Sequence, residues 1–263
     1  MAGVTPEPAA ILGGIDTTRP NVARVYDYWL SGKDNFASDR ELARKMLGYD
    51  PGLPGRAQAN RAFVTAVTRR AAEAGIRQFL DVGAGLPTHP AVHEAARDVV
   101  PDAVVVYVDN DPVVISHARA LLAKGDGLDT VPADLRDPDA VLASQSLISL
   151  DEPVCVLLAG VTHFLPAEVA RDITARYMAP LSAGSWLALS VAYYEDAELL
   201  TTLISLYTAG TFFNHSAKAV QSFTDGLDLL SPGIAEARRW ISGTAGWPPD
   251  EPGYMLCAAA VKR

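Results

Sequence analysis

The stretch Phe79-Leu80-Asp81-Val82-Gly83-Ala84-Gly85-Leu86-Pro87 limits the fold more than any other part of the chain, because an apolar run ends there in a turn broken by glycines. Such a run reads as a buried strand feeding a turn and then a helix, the unit from which parallel α/β sheets are built. Glycine at 83 and 85 permits φ > 0 and lets backbone N–H groups approach a ligand with no Cβ in between. A nucleotide or nucleoside is the ligand class that follows. A dinucleotide fingerprint requires a third glycine at position 88, where Thr88 stands, and no G-x-x-x-x-G-K-[ST] phosphate loop occurs. The turn therefore suits a ligand with little or no phosphate, which disfavours NAD.

From position 77 onward strand and helix patterns alternate. Short apolar runs at 77–82, 103–108, 129–132, 153–159 and 185–192 predict strands, and amphipathic segments at 90–99, 112–123, 138–148 and 167–178 predict the helices between them. Near-continuous apolar strands separated by such helices imply a doubly wound α/β fold, a parallel sheet covered on both faces. Further helices are expected at 196–209 and 217–226. The end differs: strand-like segments at 236–241 and 254–261 are joined by only residues 242–253, which predicts an antiparallel hairpin at a sheet edge. Ahead of the sheet, residues 1–18 read as a flexible tail and 19–75 as an N-terminal helical cap, with 76–263 as the ligand-binding domain. The first cap helix starts near Pro20 and places Val22, Val25, Tyr26, Trp29 and Leu30 on one apolar face. Helices at 39–47 and 55–74 follow, the latter carrying Asn60, Arg61 and Phe63. Between the first two helices lies the polar turn Ser31-Gly32-Lys33-Asp34-Asn35-Phe36, which by itself reads as a solvated connection.

At 263 residues and 49% hydrophobic content the chain can bury a full core, so one α/β domain with additions is the natural expectation. A formal net charge of −9 argues against a broad phosphate-binding face, and so against nucleic acid as a partner. Cys155 and Cys257 sit in apolar runs with no metal-ligand spacing and read as reduced core thiols. No apolar run approaches the ~18 residues of a membrane span, and no secretory leader pattern opens the chain. The expectation is a cytoplasmic protein without a membrane partner.

In an open α/β sheet the ligand lies beyond the carboxyl ends of the strands. Three acids fall there. Asp109 ends the second strand at the separation from the glycine turn where an acid accepts hydrogen bonds from ribose hydroxyls. Asp134 follows the third strand and can accept from an adenine amino group, while the Leu135 N–H can meet a ring nitrogen. Asp81 suits an ammonium group or braces the turn. Singly each acid reads as a helix cap or loop carboxylate; three at successive strand ends beside the glycine turn point to a nucleoside site. After the fourth strand, His163 reads either as a general base or as a histidine packed above the ligand. His89 and His93, four apart, lack a third ligand and read as surface or capping residues. Trp186, Trp240 and Trp247 read as packing or surface residues.

The segments FLDVGAGLPT, VVYVDNDPVV and PADLRDPDAVL, preceded by RPNVARVYDYWLSGKDNF, resemble a bacterial S-adenosyl methyltransferase family within the class I superfamily. The resemblance runs from about Arg19 to the C-terminus. It implies a Rossmann-like sheet of seven strands with an antiparallel last strand, and S-adenosyl-L-methionine as cofactor. On it, Gly83, Ala84 and Gly85 line the methionine and ribose, with Asp81 beside them. Asp109 and Asn110 take the ribose edge; Ala133, Asp134 and Leu135 take the adenine; and Ala159 completes the wall. Pro87 departs from a strict G-x-G-x-G pattern at its last position. Arg24, Tyr28, Lys33, Asn35 and Phe36 become candidates for a lid or substrate contact, and Tyr193 and Tyr194 for the acceptor wall. The implied activity is methyl transfer to a small-molecule acceptor. A sensor that binds the cofactor without catalysis shares every cofactor residue and stays open beside it; an NAD-dependent oxidoreductase ranks third.

Overall fold

In the computed structural model, which describes residues 11–12, 15–121, 125–241 and 253–263, one mixed sheet is faced by helices on both sides and crossed at one end by further helices. The first ten residues of the expected tail, the end of the helix expected at 112–123, the 242–252 connection and Trp247 lie outside the described residues. Two short strands, β1 (Ile11–Leu12) and β2 (Ile15–Asp16), pair with each other ahead of α1 (Val22–Trp29), α2 (Ala37–Leu47) and α3 (Leu53–Glu73). Helix α1 starts after Pro20 because Asn21 caps it. The Asn21 side chain accepts from the N–H groups of Ala23 at 2.8 Å and Arg24 at 3.4 Å.

The alternating part then runs β3 (Gln78–Val82), α4 (Val92–Arg97), β4 (Val104–Asp109), α5 (Pro112–Leu121), β5 (Leu128–Pro132), α6 (Pro138–Ser144) and β6 (Val154–Ala159). After a 3-10 turn at Thr162–Phe164 come α7 (Ala167–Met178), β7 (Trp186–Tyr194), α8 (Ala197–Leu206), α9 (Ala217–Ser222), β8 (Asp228–Leu229), β9 (Ala235–Glu236), α10 (Ala237–Trp240) and β10 (Gly253–Val261). Strand order is β5-β4-β3-β6-β7-β10-β8, with β9 also on β10. The first five strands are parallel, and β10 runs antiparallel to β7 from Gly253 opposite Tyr194 to Val261 opposite Trp186. The order reverses between β3 and β6, which puts the ligand crevice at their carboxyl ends.

Alternation along β3 divides the core. Phe79 packs with Phe63, Val64 and Val67 of α3, while Leu80 and Val82 pack with Ile173 and Tyr177 of α7. Each such fully buried side chain contributes about 1.5–3 kcal/mol. A separate cluster joins Val25 of α1, Leu42 and Met46 of α2 and Leu203 of α8 to Tyr194 at the end of β7. That cluster fixes the crossing helices over the strand ends.

Two expectations change at the C-terminus. The segment 236–241 is not a strand: only Ala235–Glu236 is extended, and Ala237–Trp240 coils into a helical turn. Burial of Trp240 outweighs a longer ladder. Its ring meets Phe63 edge-on at 5.6 Å, and its indole N–H donates to the Cys257 carbonyl at 3.2 Å. The outer position of the sheet is consequently split between β8 and β9, giving eight strands among the described residues instead of seven. β10 lies inside the sheet rather than at its edge. No described helix is long and apolar enough to cross a membrane.

Candidate functional site

The turn after β3 is pinned to β4. The N–H groups of Gly83 and Ala84 both donate to the Val108 carbonyl, at 2.8 and 3.0 Å, and the Gly85 N–H donates to Asp109 Oδ2 at 2.9 Å. Gly83 has φ +75°, and a Cβ there would stand 2.5 Å from Val161 Cγ1, so both its torsion and its space require glycine. Gly85, at φ +66°, faces open space. Asp109 Oδ1 accepts from the Asp111 N–H at 2.9 Å, and Asp111 in turn caps α5 by accepting from Val113 at 2.7 Å. Burial raises the Asp109 carboxyl, opposed by these N–H bonds. Each oxygen keeps lone-pair capacity for a further donor.

At the next strand end, Asp134 pairs with Arg136, which holds its carboxyl below the usual range. The Ala133 N–H donates to the Asp109 carbonyl at 3.0 Å, aligning the two strand ends. Leu135 accepts from Tyr177 Oη at 3.2 Å, and its own N–H donates to no group among the described residues. These groups border a cavity of about 610 Å³. Gly83, Ala84 and Gly85 line it, as do Asp109, Asn110, Ala133, Asp134, Leu135 and Ala159. His163 and Tyr194 stand on its far wall.

The other expected residues are off that wall. Asp81 does not line the cavity, is 6% exposed and accepts no hydrogen bond among the described residues. Burial pushes its carboxyl up to about 6, opposed by the Arg61 guanidinium and reinforced by Asp109. Arg24 is a buried clamp: Nε lies 3.0 Å from Asp39 Oδ2 and Nη1 lies 3.6 Å from Asp111 Oδ2. It also donates to the carbonyls of Asp16 and Arg19 and covers the Phe36 ring at 5.2 Å. The polar turn is closed on itself, with Asn35 Nδ2 donating to Asp27 Oδ2 at 2.7 Å and Lys33 exposed. Phe36 packs on Leu86, Val113 and Val114, Tyr28 bonds Arg44 at 3.2 Å, and Tyr193 packs against Tyr254 at 5.3 Å. His89 pairs with Glu94, and His93 Nδ1 lies 2.8 Å from Tyr107 Oη.

His163 sits in the 3-10 turn. The Ala192 N–H donates to its Nδ1 at 3.3 Å, so the ring proton belongs on Nε2. Burial and the neighbouring His215 push its pKa down to about 3. In that tautomer the neutral ring offers a donor at Nε2, the chemistry of a hydrogen-bonding wall.

This chain belongs to the S-adenosyl methyltransferase family. The family model matches residues 9–263, nearly the whole chain. A DUF574-family protein from Streptomyces avermitilis has 36% identity and a TM-score of 0.89, over 94% of this chain and 99% of that one. Curated relatives from Mycobacterium ulcerans and Mycobacterium marinum, whose names describe S-adenosyl-L-methionine-dependent methyltransferases, are each 32% identical over 127 and 138 residues. Those matches cover 46% and 49% of this chain, and 38% and 42% of the relatives. The chain thus spans about two fifths of the length of the curated relatives it matches. Magnesium protoporphyrin IX methyltransferase from Synechocystis, at 16% identity and a TM-score of 0.53, shares the fold.

S-adenosylmethionine is the cofactor for which this family is named, and the polar groups left without partners fit it. Arg61 lines the cavity with a buried Nε that has no hydrogen-bond partner, and the buried Thr88 Oγ1 is also unpartnered. Asp81 lies off the wall, so the cavity itself offers the Arg61 cation beside the glycine turn, which suits the carboxylate of an amino-acid end.

The sequence reading missed the helical walls. Leu53, Arg56, Ala57 and Asn60 present one stripe of α3 to the cavity, and Leu200, Leu203 and Ile204 present one stripe of α8, continued by Tyr207 just past its end. Asn60 bridges Tyr26 Oη, to which its Nδ2 donates at 3.0 Å, and Ser190, from which its Oδ1 accepts. Arg56 and Tyr194 both bond the fully buried Asp50 carboxylate, Tyr194 Oη at 2.9 Å. A signal existed: Arg56 and Asn60 interrupt an otherwise apolar helical face.

Proposed function

We propose that this chain transfers the methyl group of S-adenosylmethionine to a small, largely apolar acceptor, with residues 76–263 holding the cofactor and residues 19–75 closing over it. The observation that carries the reading is that one cavity of about 610 Å³ is bounded both by the strand-end groups and by an apolar chamber under α1, α3 and α8. That volume lies within the roughly 300–1,000 Å³ of small-molecule sites. Gly83, Ala84 and Gly85 would flank the methionine and ribose, Asp109 and Asn110 the ribose hydroxyls, and Ala133, Asp134 and Leu135 the adenine, with Ala159 beside them. Arg61 would take the carboxylate, with the Asp81 charge behind the glycine turn favouring the ammonium. The sulfonium supplies an activated methyl group, so the chain's own tasks are to exclude water and to align the acceptor. A non-catalytic sensor would need no second, apolar chamber. The buried free thiols of Cys155 and Cys257 support a cytoplasmic site of action, where thiols stay reduced.

Calorimetry with S-adenosylmethionine, S-adenosylhomocysteine and NAD tests the cofactor, with binding of the first two and none of the third expected. Transfer of a labelled methyl group to members of an acceptor panel tests the activity. Tight NAD binding without response to the other two overturns the reading.

A further inference from the structure

The chamber beyond the cofactor residues has walls of one chemical kind. Phe164 and Tyr207 stack at 6.1 Å with their planes 13° apart, Phe212 lies 5.2 Å from the His163 ring, and Leu200 and Leu203 fill the side toward α8. Planar aromatic walls favour a planar aromatic guest.

Beside the hydroxyls and amide of Tyr26, Asn60, Tyr194, Tyr207 and Thr211, which donate and accept alike, its other polar side chains are donors. The indole Nε1 of Trp29 is buried with no acceptor among the described residues, although Trp29 lines the cavity and packs in the α1/α2/α8 cluster. An indole N–H can only donate. His163 adds a second donor at Nε2, since its Nδ1 is occupied by the Ala192 N–H. Arg56 places a guanidinium on the same wall. The carboxylates lining the cavity are Asp109, Asp111 and Asp134, all at the β4 and β5 ends, so none among the described residues lines the acceptor chamber. Asp50, the nearest buried acid, is off the wall and already accepts from Arg56 and Tyr194. A protonated amine entering here would find no counter-charge, and an amine losing a proton on methylation would find no base.

We propose that the methyl acceptor is an aromatic oxygen nucleophile that reacts as its anion, with the donors of Trp29 and His163 receiving the acceptor's oxygens; this rests on the methyl-transfer reading above. The balance requires no proton transfer. An oxygen lone pair of the acceptor forms the new C–O bond as the methyl–sulfur bond breaks, and that bond's electron pair stays on sulfur. One negative and one positive charge become a neutral methyl ether or ester and a neutral thioether. A chamber with donors and no base suits that step and no amine chemistry.

The test is calorimetry on the full chain saturated with S-adenosylhomocysteine, titrating 2-naphthoate against its counterparts 2-naphthylamine and 2-(aminomethyl)naphthalene. Naphthoate should bind at least tenfold more tightly than either amine. Trp29→Phe, which keeps an aromatic ring and removes the N–H, should reduce naphthoate affinity about tenfold and leave the amines unchanged. Equal or tighter binding of an amine, no binding of naphthoate, or a Trp29→Phe effect of the same size on all three overturns the proposal. The naphthoate comparison in the unsubstituted protein stands whether or not the variant folds. Failure of S-adenosylhomocysteine itself to bind counts against the methyl-transfer reading; its binding followed by a preference for amines counts against the acceptor class alone.

Discussion

Replacing Asp81 by asparagine should stabilise the ligand-free protein at neutral pH while weakening cofactor binding. The Asp81 carboxyl is 6% exposed and accepts no hydrogen bond among the described residues, so its charge is held against desolvation with only the Arg61 guanidinium to oppose it. Burial raises it from 3.8 to about 6. Between those values the folded state binds more protons than the unfolded chain, so the stability of the wild-type protein falls as pH rises through this window and levels off above it. At about 1.36 kcal/mol per unit, the loss by pH 7 is about 3 kcal/mol. An asparagine carries no such loss, although its buried amide costs about 1–3 kcal/mol where unpaired. Urea denaturation of both proteins at pH 4, 5, 6 and 7 checks the sign: the difference between Asn and Asp should shift in favour of the variant by about 2.4 kcal/mol across the series, because part of the loss has already occurred at pH 4. Parallel curves would refute the reasoning. Calorimetry on the same proteins should show S-adenosylmethionine affinity reduced at least tenfold in Asp81→Asn, because on the proposed reading the Asp81 charge favours the incoming ammonium.

Asp109→Ala should weaken S-adenosylmethionine binding at least tenfold in calorimetry, since each charge-assisted hydrogen bond to a ribose hydroxyl contributes about 1.5–3 kcal/mol; unchanged affinity places the ribose elsewhere. Arg61→Met should lower affinity for S-adenosylmethionine about tenfold and leave that for 5′-methylthioadenosine, which lacks the amino-acid end, unchanged; an equal loss on both ligands removes Arg61 from the carboxylate. Arg24→Met strands the buried carboxylates of Asp39 and Asp111 and should cost about 3–5 kcal/mol in urea denaturation, whereas a loss under about 1 kcal/mol would show that the clamp is dispensable.

The strand-end half of the site was legible because its physics is local. The positive φ of Gly83 and Gly85, the cap at Asp111 and the acids at 109 and 134 are each specified within a few residues of a strand end, and parallel strands bring successive ends together. The same locality misled at the polar turn. Lys33, Asn35 and Phe36 stood out by composition, yet Asp27, six to nine residues earlier, accepts from the Asp34 N–H and Asn35 Nδ2 and turns that polarity inward on its own helix end. The strand expected at 236–241 failed for the complementary reason: Trp240 is decided by Phe63 and the Cys257 carbonyl, partners far away in sequence.

The acceptor half follows from packing between elements that are distant along the chain, and its helical faces look like ordinary core stripes. Val22, Tyr26 and Trp29 were already visible as an apolar face, but the neighbouring Val25 is buried in the cluster with α2 while those three line the cavity. Periodicity gives the face a helix presents, not whether a protein core or a ligand lies opposite. Polar interruptions separate the two cases. A core stripe carries few unpartnered donors, because each one buried is costly, and the stripes here carry the unpartnered Nε of Arg61 and indole N–H of Trp29 beside the paired Arg56 and Asn60. The chamber is therefore specified by where helices α1, α3 and α8 depart from apolar rule, and α8 has the greatest freedom among them. Its Leu203 is fixed in the core, but Ile204 is 42% exposed at the cavity mouth, so its side chain can change in size with little effect on the fold. On the proposed reading, acceptor shape can be tuned on that stripe while the glycine turn and the strand-end acids keep their geometry, since among the described residues no hydrogen bond of the strand-end groups runs through α8.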